Sequence, residues 1–170
     1  MRLDIYNKNL DRLGTIKKYE CLIWLRRYFK TGSFELYLAF EDKLLQLLQE
    51  DNIIHKVDDN EAGIIEYINL KKDVLGKEVL VVKGRFITSI LDRRIIWGTE
   101  NIADTYENTM RMLVDKNSIN PIDINRKIPN LQLGSLNNFT EIITYQVSYE
   151  NLLSEIEKLK ATSNIGFKIR

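Results

Sequence analysis

Residues 62–98 constrain the fold of this chain more than any other segment. Apolar side chains occupy both alternating faces of residues 62–70, which predicts a strand that is covered on both sides. Residues 71–77 form a polar connection of hairpin size, and the apolar run at residues 79–82 predicts a returning strand that ends at Gly84. Residues 85–94 then predict a short helical or irregular step, and residues 95–97 a third strand.

A second hairpin precedes this segment. Residues 19–29 and 34–40 alternate between their two faces, and the turn-forming sequence Lys-Thr-Gly-Ser separates them. This pattern is typical of an antiparallel sheet. Further short strands are predicted at residues 3–5, 10–16, 53–54 and 139–147.

Three segments have the apolar spacing of helices. They are residues 42–49 with Asp42 as the cap, residues 101–113 with Asn101 as the cap, and a final helix through residue 159 that Ser148 caps. Residues 117–129 contain both prolines and are expected to be extended and mostly irregular. The last six residues, 165–170, have the pattern of a strand that begins there.

Composition excludes several classes of protein. A chain of 170 residues is the size of one ordinary domain, and a formal net charge of +1 gives no sign of a basic or acidic tail. Cys21 is the sole cysteine, so neither a disulfide framework nor a cysteine-based zinc site can form. Charged residues interrupt every apolar stretch before it reaches the length of a membrane-spanning helix. We therefore expect a soluble protein that is made in the cytoplasm and inserts no segment into a membrane.

No constellation of residues predicts catalysis. His55 is the only histidine and is expected to have a structural role at a strand edge. Asp58, Asp59 and Glu61 offer oxygen ligands for a hard cation, but they lack the spacing of a calcium loop and fit a solvated turn better. The glycines are isolated, so no phosphate-binding loop is present. We expect no enzymatic activity, no metal and no cofactor.

Arginines and aromatic residues lie close together at two places. Arg26 follows Trp24 and precedes Tyr28, while Arg94 precedes Trp97. Such groups can bind a nucleic-acid strand, and they are also enriched at protein interfaces. The simplest alternative is that the aromatic rings face the core and the arginines face solvent.

Four motifs together resemble the siphovirus ReqiPepy-type, or Gp37-like, tail protein family. They are GSFELYL at residues 32–38, AGIIEYI at 62–68, VKGRFITSILDRRII at 82–96 and RKIPNLQLG at 126–134. The family is related to the baseplate-hub and tail-tip proteins of phage tails and contractile injection systems. The resemblance implies an antiparallel, β-barrel-like domain with peripheral helices, which assembles as a ring, commonly a trimer, at the distal end of the tail tube. It implies no catalysis.

The sequence therefore predicts an α+β fold, mainly an antiparallel and barrel-like sheet with two or three peripheral helices. Residues 1–170 are expected to form a single hub-like domain, the N-terminal half of a longer hub protein, within a virion or tail-like particle. We expect contacts with other copies and with other tail proteins, and the residues predicted at subunit contacts are Trp24, Arg26, Arg94 and Trp97. The alternatives are a nucleic-acid-binding module that uses the arginine and aromatic pairs, and a cell-wall hydrolase, for which no pair of carboxylates is well placed.

Overall fold

The structure, a computed structural model, describes residues 1–72, 74 and 76–170. The chain divides into two compact units. The first comprises residues 1–88 together with 169–170, and the second comprises residues 89–168.

The first unit is built on a seven-stranded sheet in which every neighbouring pair is antiparallel. The strands are β1 (Leu3–Tyr6), β2 (Arg12–Ile16), β3 (Cys21–Leu25), β4 (Ser33–Ala39), β5 (Ile53–Lys56), β6 (Ala62–Lys72) and β7 (Glu78–Phe86). Their order across the sheet is β2-β1-β5-β6-β7-β4-β3. The two predicted hairpins, β6–β7 and β3–β4, are confirmed.

This sheet is curled but open. A flat sheet of seven strands would hold its edge strands about 29 Å apart, at about 4.8 Å per strand. Yet only residues 17–20 connect β2 to β3, and that short connection reaches about 18 Å at most. The sheet must therefore bend until the end of β2 approaches the start of β3. No pairing joins these two strands, so the expected barrel-like curvature is present without closure into a barrel.

The concave face of the sheet encloses the core of the first unit. One helix, α1 (Asp42–Leu47), contributes Leu44 to this core, and Leu47 packs against it. Phe34 of β4 is 1% exposed and lies against two glycines, because a Cβ atom at Gly63 or at Gly84 would meet its ring at 2.4 Å or 2.8 Å. The missing side chains on β6 and β7 therefore make the room that the phenylalanine fills.

The second unit combines a small sheet with helices. Strands β8 (Thr99–Thr105) and β9 (Ile142–Ser148) form an antiparallel pair. Helix α2 (Tyr106–Val114) continues into a π-helix at Asp115–Ile119, and a 3₁₀ turn follows at Ile124–Arg126. Helix α3 (Leu152–Ser163) ends the regular structure. The buried apolar residues of α2 and α3 are Tyr106, Met110, Leu113, Val114, Leu152, Leu153, Ile156 and Leu159.

Several predicted boundaries are wrong, and local hydrogen bonding explains why. The helix expected from Asn101 begins at Tyr106, because residues 99–105 pair with β9 and the Thr105 hydroxyl accepts the Asn108 N–H at 3.2 Å. Similarly, Ser148 ends β9, and Asn151 caps α3 by accepting the Ser154 N–H at 3.0 Å. Asp42 is the first residue of α1, and the cap position belongs to Glu41.

Other predictions differ from the structure in the type of element. Residues 95–97 form no strand, only an isolated bridge between Ile95 and Asn151. Residues 165–170 have no regular structure, and the segment expected to be irregular contains the π-helix and the 3₁₀ turn. The 3₁₀ helix Ile87–Arg93 confirms the predicted helical step. The predicted hairpin connection at 71–77 includes residues 73 and 75, which lie outside the described residues. The α+β class with a mainly antiparallel sheet is confirmed.

Candidate interaction surfaces

Trp24 packs inward in the first unit. Its ring centroid lies 4.7 Å from that of Phe86 and 5.7 Å from that of Phe34, and the side chain is half-buried against the core. Because side chains alternate along a strand, Ile23 and Leu25 of β3 point the other way and are 48% and 44% exposed. For Trp24 the geometry therefore favours the core-facing alternative.

Arg26 forms an ion pair with a buried acidic turn. Its Nε donates to Asp59 Oδ2 at 3.1 Å, and a second guanidinium nitrogen donates to Asp59 Oδ1. Glu61 Oε2 lies 3.6 Å from Nε. Burial opposes ionisation of Asp59, but the hydrogen bonds from Arg26 and from the Glu61 backbone N–H outweigh it and lower the pKa of Asp59. The expected solvated turn is therefore wrong for Asp59, which is only 7% exposed and holds Arg26 in place.

The loop after β3 carries two aromatic side chains that sequence analysis did not treat as a pair. Tyr28 and Phe29 meet edge to face, with ring centroids 4.8 Å apart and planes at 86°, and they are 54% and 38% exposed. Arg27 Nη1 braces the loop by donating to the Thr31 carbonyl at 3.1 Å. Gly32 accepts the Phe86 N–H at 2.9 Å, so both ends of the loop are anchored.

In the second unit, residues 94–98 run alongside residues 149–152. The Ile96 N–H donates to the Glu150 carbonyl at 2.8 Å, and the Leu152 N–H donates to the Arg94 carbonyl at 2.9 Å. Ile96 is fully buried, whereas Trp97 on the opposite side is 59% exposed. The local pairing therefore fixes which side of this segment faces solvent.

Trp97 is held at the surface by three neighbours. Its backbone N–H donates to Asn117 Oδ1 at 2.9 Å. The Arg126 guanidinium lies 5.2 Å from the centre of the indole ring, within cation–π distance. The Tyr149 ring is steeply inclined to the indole, with the two ring centroids 6.1 Å apart. The indole is thus fixed in orientation while most of its surface stays accessible.

Arg94 and Arg126 each hold the other's backbone segment. Arg94 Nε donates to the Arg126 carbonyl, and Arg126 Nη2 donates to the Ile95 carbonyl. Burial lowers the pKa of Arg94, and the neighbouring charges of Arg126 and Arg93 lower it further. Arg94 is therefore a positioning residue for the surface around Trp97.

A pocket of about 280 Å³ opens beside the indole. We call it the Trp97 pocket; its lining residues are Trp97, Glu100, Lys116, Asn117, Asn120, Ile122, Asp123 and Arg126. Lys116 Nζ lies 2.9 Å from Glu100 Oε2, which places an ion pair at the wall. The π-helix at Asp115–Ile119 carries two of the lining residues, and such segments are frequent at functional sites.

The four predicted contact residues lie in two separate places. Trp24 and Arg26 belong to the first unit, and Arg94 and Trp97 to the second. Arg126, Tyr149 and Phe29 were missed, although Arg126 lies in one of the quoted motifs. Only the folded chain brings Arg126 onto Trp97, because these residues are far apart in sequence.

The described residues contain no group of three or more histidine, cysteine, aspartate or glutamate side chains that could hold a metal ion. In the same part of the chain, no helix is both long enough and apolar enough to cross a membrane.

The chain matches a known protein family over nearly its whole length. The sequence pattern of the family described as "Siphovirus ReqiPepy6 Gp37-like protein" matches residues 2–170. The chain belongs to this family. The resemblance predicted from the four motifs is therefore confirmed.

Among solved structures, the Gp37-like chain is similar to the prophage tail protein gp18 from Listeria monocytogenes EGD-e, with a TM-score of 0.65 and 8% sequence identity. The match covers 94% of this chain and 45% of the Listeria protein, so the chain spans less than half the length of that relative. At this identity the likeness shows a shared fold. No curated protein matches the sequence.

Proposed function

We propose that this chain is a structural, non-catalytic component of a phage tail or tail-like contractile injection particle. In this proposal it forms part of the baseplate hub or tail tip that connects to the tail tube. The observation that carries the proposal is the family match across residues 2–170. The fold shared with a Listeria prophage tail protein supports it.

The proposed assembly is a ring of identical chains, a trimer, that also contacts other tail or baseplate proteins. Residues 1–170 act as one hub-like domain, the N-terminal half of a longer hub protein, which agrees with coverage of 45% of the Listeria protein. The chain is made in the host cytoplasm and resides in the virion or tail-like particle. A ring of this kind works by burying complementary surface between copies, so that its loops face the tail tube with symmetry.

Of the four residues predicted at subunit contacts, Trp97 has the geometry of an interface anchor. It is 59% exposed, and its orientation is fixed by Asn117 and Arg126. Arg94 donates a hydrogen bond to the Arg126 carbonyl and so helps to position the arginine that packs on the indole. Trp24 and Arg26 contribute indirectly, because they hold the base of the loop that carries Tyr28 and Phe29.

The nucleic-acid alternative has less support from the geometry. Arg26 already pairs with Asp59 and Glu61, and Arg94 donates to two backbone carbonyls. A strand of nucleic acid would have to displace these partners to gain phosphate contacts. Affinity for DNA or RNA that falls steeply with salt would restore this alternative.

Light scattering coupled to size exclusion, over a range of protein concentrations, tests the assembly. We expect a discrete trimer for the wild-type chain, and a Trp97→Ala chain whose contacts are about thirtyfold weaker, as is typical when an interface anchor is truncated. Ile124→Ala is the matched control, because Ile124 is 69% exposed in the same unit but does not line the Trp97 pocket. A wild-type chain that remains monomeric throughout would contradict the ring.

Location in the particle needs a separate test. Antibody against this chain, bound to purified tails and viewed by electron microscopy, should label the distal end of the tube. Label distributed along the tube, or absent from assembled particles, would contradict the hub assignment.

A further inference from the structure

The segment that leads into β9 has no regular structure and few attachments. Residues 131–141 follow the 3₁₀ turn, and all of them except Leu131 are exposed. Within the described part of the chain, residues 131–140 make no backbone–backbone hydrogen bond. The hydrogen bonds that they do make all end on two side chains of α2, Glu107 and Arg111. Hydrogen bonding therefore fixes this segment at α2 alone.

The Glu107 carboxylate accepts two hydrogen bonds from one tight turn. Its Oε1 accepts the Asn137 N–H at 2.7 Å, and its Oε2 accepts the Phe139 N–H at 3.1 Å. Asn138 lies between these two residues and has a φ of 61°, in the left-handed region. Backbone N–H groups around a left-handed residue can form a concave anion-binding site. The turn is therefore shaped around the carboxylate.

The carboxylate is buried, and its surroundings favour the ionised form. The hydrogen bond from the Asn137 N–H, helped by the one from Phe139, lowers the pKa of Glu107 although burial opposes ionisation. Arg111 lies one turn further along α2, and its Nη2 donates to the Gly134 carbonyl at 2.8 Å. The carboxylate thus takes the N–H groups of the segment, and the guanidinium takes a carbonyl.

The chain on either side of this segment is held independently. The Ile128 N–H donates to the Ser118 carbonyl at 2.7 Å, and the Tyr106 N–H donates to the Glu141 carbonyl at 3.0 Å. Helix α2 has its own cap at Thr105 and packs on α3, while β9 pairs with β8. None of these hydrogen bonds and element contacts uses residues 134–139.

We propose that Glu107 and Arg111 form a latch for residues 134–139, which we call the strap, and that the strap opens as a unit while the rest of the second unit stays folded. Opening changes where the strap presents Leu136 and Phe139, the exposed apolar side chains that it carries. The inference does not rest on the proposed function, because the opening is a property of the isolated chain.

Digestion with chymotrypsin, followed by mass spectrometry of the fragments, tests the latch. This protease prefers large apolar residues, so Leu136 and Phe139 are cleavage sites within the strap. Cleavage requires the segment to leave its folded conformation. Glu107→Ala removes both acceptors, and we expect cleavage in the strap to be faster than in the wild type by about tenfold or more, as for lost hydrogen bonds to a charged group.

A second variant opens the strap without changing α2. Asn138→Val places a β-branched residue where φ is 61°, a conformation that such residues rarely adopt, so cleavage should again be faster. Asn138→Gly is the matched control, because glycine adopts this conformation readily, and its cleavage should stay within about threefold of the wild type. Glu100→Gln changes a carboxylate of the same unit that pairs with Lys116, and it should leave cleavage of the strap unchanged.

Amide hydrogen exchange separates opening of the strap from loss of folding. In Asn138→Val the amides of Asn137 and Phe139 should lose protection, while those of Ile156 and Leu159 in α3 keep it. If all four amides lose protection together, the second unit opens as one body and the proposal is wrong. It is also wrong if the strap is cleaved at the wild-type rate in both Glu107→Ala and Asn138→Val.

Discussion

Replacing Gly84 with alanine tests the packing of the first unit most directly. A Cβ atom at this position would lie 1.8 Å from the Ile64 carbonyl oxygen and 2.8 Å from the Phe34 ring. The first obstacle is the backbone of the neighbouring strand, which cannot rotate away as a side chain can. Gly84 pairs with Ile65 next to an irregularity in the β6–β7 register, so the chain already departs from regular pairing there.

Overpacking a core typically costs about 1–3 kcal/mol, and we expect Gly84→Ala to reach at least the upper end because the backbone has to move. In a unit of this size, about 3 kcal/mol corresponds to a fall in Tm of roughly 12–24 °C. Urea unfolding gives the free energy. Trp24 reports on the first unit when Trp97, in the second, is replaced by phenylalanine.

Two other glycines serve as matched controls. Nothing lies within 4 Å of a Cβ atom at Gly134, so Gly134→Ala should be neutral or stabilise by about 0.4–1 kcal/mol. At Gly63 the nearest obstacle is the Phe34 ring at 2.4 Å, so Phe34→Leu should relieve Gly63→Ala but not Gly84→Ala in a double-mutant cycle. A Gly84→Ala chain within about 0.5 kcal/mol of the wild type would refute this reasoning.

Two further predictions concern buried carboxylates. The pKa of Asp59 in the folded protein lies below its ordinary value of 3.8. The stability that the ionised carboxylate contributes is therefore present above pH 3.8 and is lost as the pH falls through the folded-state pKa. When the midpoint of urea unfolding is plotted against pH, Asp59→Asn should reduce the fall of the midpoint at acid pH. An unchanged fall would contradict this. The Tyr145 hydroxyl donates to Glu155, which is 2% exposed, so Tyr145→Phe should lower the free energy of unfolding by about 1.5–3 kcal/mol. The control Tyr149→Phe, at a side chain 62% exposed, should stay within about 0.5 kcal/mol, and equal losses for the two would argue against the buried bond.

Local sequence patterns predicted the strands of the first unit well. The hairpins β3–β4 and β6–β7 were recognisable because alternating or β-branched runs flank short polar connections. Helix boundaries were less accurate at Asn101 and Ser148. Both are good capping residues, but each lies in a strand whose partner occupies its backbone groups. A cap depends on where the preceding strand ends, and this is a tertiary property.

The candidate surfaces divide in the same way. Trp97 was found from sequence because tryptophan beside arginine is a common interface composition. Trp24 also has an arginine close by in sequence, yet its ring packs on Phe86. The reason is that side chains alternate along β3, and Trp24 lies on the side that faces the core. The partner of Arg26 was not predicted either, because Asp59 comes from another strand connection.

The amino-acid sequence by itself determined the class of the fold, the two hairpins and the family, because these depend on local periodicity and on the order of motifs along the chain. Only the tertiary structure decided that the sheet curls without closing, that Arg94 supports the surface around Trp97 from within, and that Arg126 covers the indole. The physical reason is that strand order, side-chain direction and charge pairing arise from contacts between residues distant in sequence, and a one-dimensional pattern does not contain them.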